Sequence, residues 1–121
     1  MSAAYWKIIF EQGTTWRTSL TLRDKGDGFT PGPLIDLTGY TARMQARVNV
    51  DSVETLLSIG TSTGEITIDG PAGRISIVIA ADASSTWTWR YGVHQFELIA
   101  PNGDVIRLAT GEIELDREVV R

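Results

Sequence analysis

R-I-S-I-V-I-A, from Arg74 to Ala80, puts Ile75, Ile77 and Ile79 at every second position. Successive side chains on a strand point to opposite faces, so this run reads as a strand with one buried face. The same alternation recurs along the whole chain, and no helical stripe competes with it. Residues 5–11 carry Trp6, Ile8 and Phe10 on one face and Tyr5, Lys7 and Ile9 on the other. That second face is only half polar, so cover on both sides stays open. Residues 15–23 place Trp16, Leu20 and Leu22 together, with Arg17, Ser19, Thr21 and Arg23 opposite. The clearest long strand is 40–50, with Ala42, Met44, Ala46 and Val48 inward and Arg43, Gln45 and Arg47 outward.

Turn chemistry separates these runs. Q-G-T follows Glu11, D-L-T-G occupies 36–39, and G-P-A-G precedes Arg74. In D-L-T-G the Asp or Thr side chain is free to bond nearby backbone N–H groups. Residues 24–33, D-K-G-D-G-F-T-P-G-P, form the one long loop, saturated with glycine and proline. Residues 54–59 and 64–69 read as a hairpin around T-S-T-G. Residues 91–100 and 104–116 read as a second around P-N-G-D, in which Ile106 and Leu108 share a face and, further on, Ile113 and Leu115 do. Residues 81–86 give the only helical signal, a single turn. About eight to ten short strands with turns every ~8–12 residues mark an all-β sandwich or barrel. The expectation is one antiparallel β-sandwich domain over 1–121.

Bulk composition narrows the function. The chain has 121 residues, 42% hydrophobic and 21% charged, a globular balance. Its net charge of −4 argues against a phosphate-backbone partner and against anionic membrane surfaces. No nucleic acid and no membrane insertion are expected. The start, M-S-A-A-Y-W-K, lacks the pattern of a signal peptide. The absence of cysteine removes disulfides, thiolate metal sites and a cysteine nucleophile.

Each candidate for chemistry meets a plainer reading. His94 is the single histidine, on a face shared with Phe96 and Leu98. A triad or zinc site needs several positioned partners, so a structural histidine is expected. Asp24, Asp27 and Asp36 flank the long loop but lack the calcium-loop spacing. Glu112, Glu114 and Asp116 share one outward strand face, where carboxylates are solvated or meet a subunit. Trp6 and Trp16 sit in register with core residues. Trp87 and Trp89, in T-W-T-W-R-Y, are divided evenly between core edge and contact surface. No catalytic residue, cofactor or metal is expected, and no enzyme.

One combination is more specific. W-R-T-S-L-T-L-R-D (16–24), I-D-L-T-G-Y-T-A-R-M-Q-A-R (35–47), G-E-I-T-I-D (64–69) and G-R-I-S-I-V-I (73–79) are followed by Y-G-V-H-Q-F-E-L (91–98), P-N-G-D-V (101–105) and G-E-I-E-L (111–115). From about residue 10 to the end, this order resembles small structural proteins of tailed bacteriophages and prophages. The early part is similar to the immunoglobulin-like N-terminal domains of phage upper-baseplate and appendage proteins. The resemblance implies an immunoglobulin-like sandwich and a virion structural role, in a tail, baseplate or tail-fibre subunit that docks other phage proteins. It also implies a homo-oligomer in a symmetric assembly, put together in the host bacterial cytoplasm. A capsid decoration protein is the alternative within the virion, and a carbohydrate-binding module the alternative outside it. The contact residues expected are Trp87, Trp89, Arg90 and Tyr91, since aromatics and arginine dominate interface hot spots. Lys25 and Phe29 join them from the long loop, because long loops in compact domains tend to be functional.

Overall fold

A computed structural model describes residues 3–24 and 32–120. Nine strands and one short helix follow one another as β1 (Ala4–Tyr5), β2 (Ile8–Glu11), β3 (Trp16–Thr21), β4 (Thr41–Arg47), β5 (Leu57–Gly60), β6 (Ile66–Asp69), β7 (Arg74–Ile79), α1 (Ala81–Ser85), β8 (Tyr91–Ile99) and β9 (Val105–Asp116). They build two sheets. The larger runs β1-β9-β8-β4-β5, with β2 also on β9, and the smaller runs β3-β7-β6. The third, seventh and sixth strands thus face the fourth, eighth and ninth, which is the strand order of an immunoglobulin-like sandwich. The hallmark inter-sheet disulfide of antibody domains is missing from this cysteine-free chain. Among the described residues the core between the sheets is a cluster of apolar side chains.

The alternation seen in the sequence builds the core. Ile75, Ile77 and Ile79 of β7 face Ala42, Met44 and Ala46 of β4, Phe96 and Leu98 of β8, and Ile113 and Leu115 of β9, all buried. Fully burying side chains of this kind stabilises a fold by about 1.5–3 kcal/mol each. Leu37 plugs one end of the core at 1% exposure. The Asp36 carboxylate accepts from the Thr38 N–H at 2.9 Å and the Thr38 hydroxyl at 2.6 Å, so D-L-T-G is an Asx-type turn. Leu37 N–H donates to Gly70 O at 2.8 Å, and a Cβ on Gly70 would meet the Thr38 backbone at 2.7 Å. The motif therefore works as a structural plug docked on the β6–β7 turn.

Four expectations need correction. Residues 54–59 and 64–69 are not a hairpin. β5 pairs with β4 and β6 pairs with β7, so T-S-T-G carries the chain from one sheet to the other. Each strand alternates correctly, but alternation does not say which partner it meets. Second, β4 ends at Arg47, and Val48 is 58% exposed rather than inward. Arg47 Nη1 donates to Ser52 O and Val53 O, which holds the chain in a loop there. Third, the sandwich is not wholly antiparallel, because β1 and β2 run parallel to β9. Fourth, the second face of the N-terminal strands is uncovered, with Tyr5 and Ile9 both exposed.

A bulge reconciles one oddity of the sequence. Phe96 pairs with Ala109, but Glu97 pairs with Arg107, leaving Leu108 as the extra residue of β9. Even-numbered Ile106 and Leu108 pack on the core before it, and odd-numbered Ala109, Ile113 and Leu115 are buried after it. One inserted residue moves every later side chain to the other face.

Candidate docking surfaces

The segment 87–91 splits in two. Trp87 and Trp89 turn inward, half-buried and packed against the core. Their rings stack at 5.3 Å and 30°, and both meet Phe10 edge-on, at 5.4 and 6.5 Å. Trp6 and Trp16 are half-buried on the core too. None of the four tryptophans is among the exposed large side chains. Arg90 and Tyr91 turn outward. Tyr91 is 65% exposed and borders a shallow depression with Lys7, Val48, Glu112 and Glu114. Lys25 and Phe29 lie outside the described residues, as does Asp27.

Sequence reasoning overlooked the residue that holds this region in place. Gln12, read as part of a turn, is buried at 8% exposure. Its Nε2 donates to Trp87 O at 2.7 Å and, more weakly, to Ser84 O and Ser85 O at 3.3 and 3.4 Å. Its Oε1 accepts from Glu118 N at 2.9 Å and Arg117 Nε at 3.2 Å. Gly13 N donates to the Ser84 hydroxyl at 2.8 Å. One amide thus ties the end of β2 to α1, to the tryptophan segment and to the tail after β9. A glutamine in a turn carries no sequence signal for partners this distant.

His94 is 1% exposed. Its Nε2 meets Trp6 O at 2.5 Å, the Trp6 ring lies edge-on at 5.9 Å, and Nδ1 has no partner. Burial pushes the imidazole below its ordinary 6.5, opposed by the Trp6 carbonyl. The shift favours the neutral ring. Among the described residues no three His, Cys, Asp or Glu side chains converge to hold a metal ion. Asp36 is held below 3.8 by the Thr38 hydroxyl and N–H, a consequence of its turn. Glu112 and Asp116 are exposed on the outer sheet face, and Arg43 Nε pairs there with Glu97 at 2.8 Å.

The clearest docking geometry is an edge. β5 closes the larger sheet and has β4 on one side only. Thr61 N donates to Ala42 O at 3.0 Å, and the register pairs Ile59 with Met44 and Leu57 with Ala46. Antiparallel ladders alternate, so the Ser58 N–H points away from β4 into the open. Beside this edge runs a groove of about 550 Å³ floored by Leu57, Ile59, Val78, Ile79, Ala83 and Trp87. It exists because a three-stranded sheet faces a six-stranded one.

No protein-family model matches the chain, and no curated protein matches it in sequence. Among solved structures it is similar to extracellular domains 3–5 of Drosophila OTK, at 16% identity and a TM-score of 0.33. The match covers 90% of this chain and 32% of that one, so the chain spans about a third of that structure's length.

Proposed function

We propose that this protein is a structural subunit of a tailed-phage virion, in the tail or baseplate region, which docks neighbouring proteins through its sheet edge. The observation that supports docking is the open β5 edge beside the groove that Trp87 helps to floor. An unpaired edge is a template for strand addition, with the ladder giving affinity and the adjoining pockets giving side-chain selectivity. The order of motifs from Trp16 to Leu115 supports the phage assignment.

The test is solution mass by light scattering behind size exclusion, alone and mixed with purified tail components. The wild-type protein is expected to form a defined oligomer or co-elute with a tail component. Ser58→Pro removes the outward N–H, a place where an edge strand tolerates proline. That variant is expected to keep its thermal midpoint and lose the complex. A wild-type chain that stays monomeric with every tail component overturns the proposal. A complex that Ser58→Pro leaves intact overturns the edge as its site.

A further inference from the structure

His94 touches the chain where the N-terminal strands meet β9. β1 and β2 both pair with β9 in one continuous parallel register, Ala4 with Ala109 and Ile8 with Ile113, and the pairing lapses at Trp6 and Lys7. At that lapse Trp6 O faces His94 Nε2, while Trp6 N donates to Thr110 O at 2.9 Å. A carbonyl only accepts, so Nε2 carries the proton and Nδ1 is bare. A second proton would place an unpaired N–H and a charge inside the core, which costs far more than leaving the ring neutral.

Among the described residues no charged side chain bonds the ring. Across from His94 stand Ala46 on β4 and Gly111 on β9, and the Trp6 ring covers it edge-on, with Trp16 of β3 against Trp6. The nearest charged groups along these strands are Arg47 and Glu112. Both sit opposite Val93, so they belong to the outer face, and neither contributes to the shift of the imidazole. Lys7, next to Trp6, is exposed. The cover itself is thin. β1 is two residues long and both are exposed, whereas β2 is anchored by buried Ile8 and Phe10 and by Gln12 beyond it.

We propose that His94 makes the N-terminal strand an acid-released latch: a second proton on the imidazole detaches residues 3–7 from β9 and uncovers that strand's edge. Release wets the ring while the rest of the sandwich stays closed. Local opening of this kind draws on the least anchored part of a fold.

The experiment is amide hydrogen exchange of the intact protein from pH 7.5 to 5.0, corrected for the intrinsic rate. The opening constant of the Trp6 amide is expected to rise below pH 6.5, by about 30-fold at pH 5, if the open ring titrates at its ordinary value. Ile77 and Phe96 amides are expected to stay protected, and His94→Gln, whose amide keeps a donor without titrating, is expected to show no rise. A flat Trp6 amide, an equal rise in His94→Gln, or Trp6 and core amides opening together overturns the latch. Should the glutamine variant not fold, the wild-type imidazole is followed by nitrogen NMR. Ring titration coincident with Trp6 opening supports the latch, and ring titration with Trp6 still protected overturns it.

Discussion

Replacing Gln12 with methionine tests how much one buried amide stabilises this sandwich. Methionine keeps the length and packing of the side chain and removes every hydrogen bond. The two N–H groups of Gln12 serve three carbonyls, so Trp87 O at 2.7 Å takes one while Ser84 O and Ser85 O share the other at 3.3 and 3.4 Å. The oxygen accepts from Glu118 N at 2.9 Å and Arg117 Nε at 3.2 Å. With roughly 1 kcal/mol for each short bond and half that for each long one, the loss is about 3 kcal/mol. Carbonyls left dry by the thioether add to it. Against a total stability of about 5–15 kcal/mol for a domain, this is a large fraction. Urea unfolding at pH 7.5, followed by tryptophan fluorescence, measures it directly. A loss under about 1 kcal/mol at an unchanged m-value would refute the claim that Gln12 fastens three segments together.

Three further outcomes are expected. Gly111→Ala drives a Cβ into Trp6 O, so the N-terminal segment must move, and the variant is expected to lose more than about 2 kcal/mol in urea unfolding; wild-type stability with intact Trp6 amide protection would contradict this. A double-mutant cycle on Arg43 and Glu97, whose side chains are 55% and 24% exposed, is expected to give a coupling below about 1 kcal/mol that shrinks in salt; coupling well above that would mean the pair is shielded from water. Asp36 has a folded value below its ordinary 3.8, so its contribution is present above that pH and is lost as pH falls through the folded value. Asp36→Asn is expected to flatten the fall of the urea midpoint below about pH 4 relative to wild type, and parallel curves would show that the turn is indifferent to its charge.

What was legible in the sequence follows from the period of two. It marked Ile75, Ile77 and Ile79, the inward faces of β2, β4 and β8, and the last hairpin, because each depends on neighbours a few residues apart. The D-L-T-G turn was legible for the same reason, since Asp36 and Thr38 bond locally. The candidate contacts were less so. Trp87 and Trp89 have no alternating frame to orient them, and only the packing of Phe10 shows that both face inward while Arg90 and Tyr91 do not.

By itself, then, the sequence determined the class of fold, the strands and most of their buried faces, because a strand's own spacing dictates which side chains share a surface. Tertiary structure alone decided partnership. It sent β5 and β6 to different sheets, ran β1 and β2 parallel to β9, shifted β9 by one residue at Leu108, and set Gln12 and His94 against backbone atoms more than seventy positions away. Those choices rest on the complementarity of two whole sheets, which no window of neighbouring residues contains.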